Sequence, residues 1–218
     1  MPKVKDEYLA DKINFILACT EEILKEKPLY LITMRDIIKK ANFSQGVIYR
    51  YYANIDEIYV DFINKHTDYN TLEQRIDALL SSNQSERIIL EGCFIAMGEY
   101  IQELMKSIVG KTFFELTVLY SCDLEKRTSI FPKLKFKKSL AYAQNKITEY
   151  VMSNVKKGIF QPQIPVGSII LFVSAFIDGI AQSIVLGAAG GNNQNSESAT
   201  DIPEMFQTLA KAIINFLE

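Results

Sequence analysis

Residues 33–59, TMRDIIKKANFSQGVIYRYYANIDEIY, decide the fold of this 218-residue chain. Two short apolar repeats, MRDIIKKA and QGVIYRY, lie on either side of NFS. Thr33 and Ser44 are residue types that favour the start of a helix, and Asn42 tolerates the left-handed backbone that ends one. Two short helices joined by so tight a turn form a helix-turn-helix, the motif that lays its second helix in the major groove of DNA.

The side chains of the second helix match the chemistry of a DNA groove. Gln45 can pair with the edge of an adenine, Val47 can meet a thymine methyl, and Gly46 removes a side chain where the duplex must come close. Arg35 and Arg50 are further candidates for base contacts. Hydroxyl groups and helix amino termini suit phosphates, which fix register without specifying sequence. The predicted DNA-binding residues are therefore Thr33, Arg35, Ser44, Gln45, Gly46, Val47, Tyr49, Arg50 and Tyr51.

The local charge agrees with this prediction. Residues 27–54 hold five basic side chains and one acidic side chain, a net +4, whereas the whole chain is at −2. A local basic patch is the electrostatic signature of a DNA-binding surface. A second interpretation is that Tyr49, Tyr51 and Tyr52 only pack the core of a small three-helix domain. The five basic residues are Lys27, Arg35, Lys39, Lys40 and Arg50.

The segment ILACTEEILKEKPLYLITMRDIIKKANFSQGVIYRYYANIDEIY, residues 16–59, resembles the amino-terminal domain of the TetR family of bacterial transcriptional repressors. The matching features are the first helix, the threonine before the second helix, the turn ANFSQGVIY and the run YRYY. The resemblance implies that the first three helices bind a double-stranded DNA operator. It also implies a pocket for a small-molecule effector in the following helices and a homodimer built on the last two.

Three positions depart from the family pattern. Asn42 stands where the family usually has glycine, which is a mild change because asparagine tolerates positive φ. Tyr52 replaces a more usual phenylalanine and adds a hydroxyl group. Ile55 stands where a lysine usually begins the fourth helix and contacts phosphate, so its presence is expected to weaken non-specific DNA binding.

Composition indicates a globular cytoplasmic protein. Apolar residues make up 48% of the chain and charged residues 23%. The three cysteines, Cys19, Cys93 and Cys122, are isolated and odd in number, which favours buried free thiols in a reducing cytosol. The first twelve residues lack the apolar core of a signal peptide, and the most apolar run, residues 169–186, is interrupted by polar side chains. We therefore expect no membrane span.

Helical periodicity dominates the whole chain and predicts an all-α fold of about nine helices, with no strand pair. One long helix is predicted from Ser85 to Gly110, and another is expected to stop at Gly158. Residues 187–203, GAAGGNNQNSESATDIP, have the composition of a linker. The predicted division is a helix-turn-helix DNA-binding domain at residues 1–53 and a ligand-binding and dimerisation domain at residues 54–218.

Aromatic and methionine side chains on the later helices are candidates to line an effector pocket. The alternative is that each belongs to an ordinary helix-bundle core. The single histidine, His66, has no partners at metal-ligand spacing, so no metal or cofactor is expected. No catalytic motif is present, so the chain is not expected to be an enzyme. The candidate ligand-binding residues are Phe94, Met97, Tyr100, Phe113, Phe114, Tyr120, Tyr142 and Phe176.

Two functions are compatible with these features. The first is a ligand-responsive dimeric repressor, released from a palindromic operator by an apolar or amphipathic effector. The second is a helical carrier of small molecules or lipids that has lost DNA binding, which only Ile55 favours. Homodimerisation is expected through helix 168–186, whose small residues permit close approach, and through an apolar stripe near the carboxyl terminus that a monomer would expose. That stripe is Met205, Leu209, Ile213 and Phe216.

Overall fold

The computed structural model describes residues 3–66, 70–189 and 201–218, and all regular structure in these ranges is helical. The all-α prediction is confirmed. The predicted count of about nine helices is wrong, because the described residues form eleven α-helices and two short 3₁₀ turns. The α-helices are α1 Lys3–Glu26, α2 Met34–Ala41, α3 Gln45–Tyr51, α4 Ile55–Lys65, α5 Asn70–Leu80, α6 Glu86–Met105, α7 Ile108–Leu119, α8 Leu124–Ile130, α9 Lys135–Lys156, α10 Val166–Ala189 and α11 Ile202–Leu217.

The chain divides into two compact units that are not continuous in sequence. The first unit comprises Met1–Thr67 and Ser107–Leu134, so it holds α1 to α4 together with α7 and α8. The second comprises Asp68–Lys106 and Lys135–Glu218, so it holds α5, α6 and α9 to α11. The functional boundary predicted after residue 53 stays a prediction, because a compact unit records packing and not activity.

The helix-turn-helix of the first unit is built by local signals and a small apolar core. Asn42 ends α2 with φ of 53° and ψ of 36°, which confirms the left-handed turn expected of it. Ile37 of α2 and Ile48 of α3 are fully buried, as are Leu17 of α1 and Phe62 of α4. One apolar face from each of four helices therefore makes the core that holds α2 and α3 in place.

Helices α5 and α8 are the two additional elements. The helix predicted from Ser85 to Gly110 ends at Met105, and Gly110 lies inside α7. The break occurs because the Ser107 hydroxyl accepts a hydrogen bond from the Gly110 N–H at 3.1 Å and caps a new helix. Gly158, with φ of 74°, follows the end of α9 as predicted.

The second unit is centred on the pair formed by α6 and α11. Gly98 of α6 lies so close to Phe206 of α11 that a Cβ atom on the glycine would stand 2.8 Å from the Phe206 Cβ. Leu209 and Ile213 are each 2% exposed. The predicted exposure of the carboxy-terminal stripe is therefore wrong for these two residues, because α6 of the same chain already covers them.

The expectation of buried thiols is confirmed for two of the three cysteines and is wrong for Cys122. Cys19 and Cys93 are buried free thiols, and burial raises the pKa of Cys93 to about 12, whereas Cys122 is exposed.

No helix in the described ranges is long and apolar enough to cross a membrane. Within those same ranges, no group of three or more His, Cys, Asp or Glu side chains is placed to hold a metal ion. Most of the predicted linker, residues 190–200, lies outside the described residues.

Candidate DNA interface and effector pocket

A closed set of hydrogen bonds fixes the start of α2. The Thr33 hydroxyl accepts from the Asp36 N–H at 3.3 Å and donates to the Asp36 carboxylate at 2.7 Å. That carboxylate also accepts from the Thr33 N–H at 2.9 Å, which completes a capping box. The Lys27 ammonium and then the Thr33 hydroxyl lower the pKa of Asp36 to about 2. Thr33 therefore gives its only hydroxyl proton to Asp36, and a phosphate contact through that proton requires the hydroxyl to rotate.

Helix α3 divides its side chains between the core and the solvent. Ile48 and Tyr52 point inward, at 0% and 5% exposure. A Cβ atom built on Gly46 would meet nothing within 4 Å, so the backbone at this point is open to a close partner. Ser44 precedes the helix in extended conformation without a side-chain cap bond. Of the other predicted contact residues, Ser44, Gln45, Tyr49 and Arg50 are exposed, and Val47 and Tyr51 are half-buried.

Tyr52 is a core residue, so the second interpretation of the aromatic cluster is correct for this side chain. Its hydroxyl donates to the Asp61 carboxylate at 2.5 Å, which gives the extra oxygen at this position a partner. Burial, followed by the Asp61 hydrogen bond, raises the pKa of Tyr52. The bond ties the carboxyl end of α3 to the middle of α4. Tyr49, at 45% exposure, takes no part in this packing core.

Ion pairing removes two of the five cations from the predicted basic patch. Lys27 binds Asp36 at 2.9 Å, and Lys40 binds Glu22 of α1 at 2.7 Å. Glu22 lies outside the 27–54 window, so the sequence count missed it. The remaining three cations make no ion pair within the part of the chain described, and all are exposed. They are Arg35, Lys39 and Arg50.

The turn between α2 and α3 is held from outside by α1. The rings of Phe15 and Phe43 lie 5.5 Å apart between centroids. The Lys12 ammonium stands 4.7 Å from the centroid of the Phe43 ring, within cation–π range. These contacts add to the core in fixing the direction of α3.

A polar network that no sequence pattern indicated ties α4 to α7 and α8. Asp56 is 6% exposed and accepts a hydrogen bond from Tyr120 at 2.5 Å as well as an ion pair from Lys126. Glu115 of α7 accepts from the Leu29 N–H at 2.5 Å, just before α2. The partners are 64 to 86 residues apart in sequence, so no local signal brings them together. The network makes α7 and α8 part of the support for the helix-turn-helix.

Ile55 is the first residue of α4 and is half-buried. The preceding Asn54 caps the helix, because its side chain accepts from the Glu57 N–H at 3.1 Å. The position is thus structurally that of a helix start, but it carries an apolar side chain that cannot donate to a phosphate. The effect of Ile55 on DNA binding stays a prediction.

The second unit contains an apolar pocket bounded by α6, α9, α10 and α11. Phe94 and Met97, both predicted ligand-binding residues, line it. Most of the other walls are branched aliphatic side chains, which sequence reasoning treated as ordinary core. The full lining is Leu90, Phe94, Met97, Gln144, Ile147, Thr148, Val151, Val166, Ile169, Ile170, Val173, Ile213 and Leu217.

The six other predicted ligand-binding residues lie elsewhere. Phe113 and Phe114 are buried in the first unit with their rings 5.2 Å apart, and Tyr120 belongs to the Asp56 network. In the second unit, Tyr142 donates to Asp77 at 2.8 Å, and Phe176 packs edge-on against Phe206 at 5.6 Å. Tyr100 is partly buried against the core. The pocket thus gathers two of the eight candidates.

Comparison with known proteins supports the helix-turn-helix assignment. The model of the bacterial regulatory proteins of the tetR family matches residues 16–61, which run from within α1 to within α4. The HTH-type transcriptional regulator YfiR of Bacillus subtilis (strain 168) is 22% identical over 187 residues, or 84% of this chain and 84% of YfiR.

Solved structures of similar fold cover almost the whole chain. FadR of Bacillus subtilis, solved in complex with stearoyl-CoA, has a TM-score of 0.58 at 14% identity, covering 94% of this chain and 98% of its own. PfmR of Thermus thermophilus has a TM-score of 0.56 at 15% identity, covering 93% and 98%. KstR2 of Mycobacterium tuberculosis, a ketosteroid transcriptional regulator, has a TM-score of 0.53 at 16% identity, covering 93% of each chain. At these identities the likeness shows the fold alone.

Proposed function

We propose that this chain, which belongs to the TetR family of bacterial transcriptional regulators, is a homodimeric repressor that an apolar or amphipathic effector releases from a palindromic operator. It acts in the cytoplasm and has no catalytic role. Residues 1–53 bind DNA, and residues 54–218 bind the effector and form the dimer.

The exposed face of α3 carries this proposal. It presents Gln45 and the open backbone of Gly46 at its amino end and Tyr49 and Arg50 one turn later. An amide that can pair with adenine, placed at the start of a recognition helix, is the arrangement that reads base edges. Phenol hydroxyls and unpaired cations beside it suit phosphates. We assign base contacts to Gln45 and Val47, assisted by Arg35 and Arg50, and phosphate contacts to Thr33, Ser44, Tyr49 and Tyr51.

DNA footprinting tests the proposal directly. The protein is mixed with the DNA upstream of its own gene and with an unrelated fragment of equal length at physiological salt. A repressor of this kind protects two half-sites related by a two-fold axis, and its affinity falls steeply as salt rises, because phosphate contacts release counterions. Equal binding of both fragments without a protected site contradicts the proposal. Failure to bind either fragment also contradicts it and favours the carrier that Ile55 suggests.

The surface of α10 supports the homodimer. Leu171 and Phe172 are 71% and 46% exposed, large values for apolar side chains. Small residues beside them, Ala175 and Gly179, would let a second helix approach closely. Ser174 is turned instead toward α9, where it accepts from Gln144 at 3.0 Å. A two-fold related copy of α10 would cover this face, which consists of Ser168, Leu171, Phe172, Ala175, Asp178, Gly179 and Gln182.

Replacing Leu171 with glutamate is expected to convert the dimer into a monomer. The change places two like charges at a two-fold interface and removes apolar area from its centre. Sedimentation velocity at micromolar concentration measures the result. Leu124→Glu is the matched control, because Leu124 of α8 is 74% exposed and lies outside the proposed interface. A parent protein that sediments as a monomer, or a Leu171→Glu variant that stays dimeric, contradicts this interface.

The effector is assigned to the pocket of the second unit. FadR of Bacillus subtilis was solved in complex with stearoyl-CoA, a molecule with a long apolar chain, and KstR2 is a ketosteroid transcriptional regulator. The pocket described above has walls of matching character, with Phe94 and Met97 among them. Apolar walls of this kind favour a ligand whose apolar surface is removed from water when it binds.

A further inference from the structure

We propose that the pocket of the second unit binds an uncharged aliphatic molecule carrying a hydroxyl group, and that Gln144 and Thr148 accept that hydroxyl's hydrogen bond. The assignment rests on the proposed function only for the step from ligand binding to release of DNA. The class of ligand follows from the pocket walls and from the hydrogen bonds already made there.

The walls exclude a charged ligand. None of the thirteen lining residues is acidic or basic, and only Gln144 and Thr148 have polar side chains. An ion that entered would lose its hydration without gaining a counter-ion, and that loss is costly. A flat ring would find one stacking partner among the walls, because Phe94 is the sole aromatic side chain there. Branched aliphatic walls suit a flexible aliphatic chain.

The Gln144 amide is oriented by a chain of two hydrogen bonds. Its nitrogen donates to the Ser174 hydroxyl at 3.0 Å, and Ser174 donates its own proton to the Ile170 carbonyl at 3.0 Å. Because Ser174 has no second proton, the group facing it must be the amide nitrogen. The amide oxygen of Gln144 therefore stays available, with no partner among the residues described.

Thr148 offers the same kind of group. Its hydroxyl donates to the backbone carbonyl of Gln144 at 2.8 Å, so only its oxygen lone pairs remain. The two polar side chains of the pocket lie one helical turn apart on α9, and each presents an acceptor. A ligand hydroxyl supplies the proton that they lack. A carboxylate has no proton to give at neutral pH. Its only donor among these two side chains would be the second N–H of the Gln144 amide, and the two acceptor oxygens would repel its charge.

Calorimetric titration with five probes tests the ligand class. We expect 1-octanol to bind and to gain affinity over 1-heptanol by about fourfold, the usual effect of one buried methylene. Octanoate and octylammonium, with the same chain but a charged head, are expected to bind at least about tenfold more weakly. 2-Naphthol, which has its hydroxyl group on a flat ring, is also expected to bind more weakly than 1-octanol. Binding of either ion as tight as that of octanol, or tighter binding of 2-naphthol, overturns the assignment.

Variants of Gln144 test the hydroxyl contact. Gln144→Leu is expected to weaken octanol binding by about tenfold, whereas Gln163→Leu, a change at an exposed glutamine, should leave it unchanged. Gln144→Glu supplies a carboxylate at the same place, so it should favour octylammonium over octanol. Circular dichroism melts confirm that each variant is folded. Parental octanol affinity in Gln144→Leu, or an unchanged preference in Gln144→Glu, overturns the role of Gln144.

A DNA-binding experiment tests this inference separately from the proposed function. Octanol is added to the protein bound to a duplex that it has selected from a randomised library. Release of the duplex at the octanol concentration that saturates the pocket supports both the ligand class and the proposed function. Octanol that binds without weakening DNA binding contradicts the effector role and leaves the ligand class standing. DNA binding by a protein that octanol does not enter overturns the ligand class and leaves the repressor standing.

Discussion

Phe206→Ala is expected to lower the free energy of unfolding by about 3–5 kcal/mol, the usual cost of deleting a fully buried ring. Phe206 of α11 is 0% exposed and packs tightly against Gly98 of α6. It also contacts Phe176 edge-on at 5.6 Å, an interaction that alanine cannot replace. Because α6 and α11 both line the pocket, the same ring supports the walls that the effector would contact.

Thermal unfolding at fixed protein concentration measures this effect, since a dimer's melting temperature depends on concentration. For a chain of this size the loss corresponds to a fall in melting temperature of roughly 6–20 °C. Tyr30→Ala is the control, because Tyr30 is 68% exposed and its removal leaves no cavity. A loss below about 1 kcal/mol in Phe206→Ala would show that α6 and α11 do not depend on this contact.

The helix-turn-helix could be predicted from sequence because its determinants are local. Caps at Thr33 and Asn54, the left-handed residue Asn42 and the apolar positions that include Ile37 and Ile48 all fall within a short segment. Each acts on its near neighbours in the chain, so periodicity and residue type are enough to locate the helices.

The carboxy-terminal stripe shows where such reasoning stops. Periodicity correctly placed Leu209 and Ile213 on one buried face of α11, but it does not say what buries that face. The sequence suggested a second copy of the chain, whereas α6 of the same chain covers both side chains. The apolar surface that remains exposed is on α10, at Leu171 and Phe172.

For a related reason, the predicted ligand-binding residues coincide with the lining of this pocket only at Phe94 and Met97. Aromatic and methionine side chains were chosen because they are enriched in ligand sites, yet the same residue types fill cores. Phe113 and Phe114 pack inside the first unit, and Tyr120 binds the buried Asp56. The walls actually found are mostly valine, leucine and isoleucine, which composition cannot distinguish from core. The polar network around Asp56 joins residues far apart in sequence, so only the tertiary structure reveals it.

Gln45→Ala is expected to have the largest effect on DNA recognition. The side chain is exposed at the first position of α3, and it makes no hydrogen bond to any other described residue, so its amide is free to pair with a base. Adjacent Gly46 leaves room for the duplex to approach. One lost bidentate contact costs about 1–3 kcal/mol, or roughly fivefold to 150-fold in affinity for each half-site.

A two-fold operator doubles this effect in free energy. Because both subunits of the proposed dimer lose the contact, the full operator should bind roughly 30-fold to 20,000-fold more weakly. Non-specific binding should change little, since the phosphate contacts remain. Fluorescence anisotropy measures specific and non-specific binding. It uses the duplex selected from the randomised library and single-base variants of each half-site. Gln74→Ala, at an exposed glutamine of α5, is the control. The parent should discriminate against variants at one or two positions that Gln45→Ala no longer distinguishes, and retained discrimination at every position would show that Gln45 does not read a base.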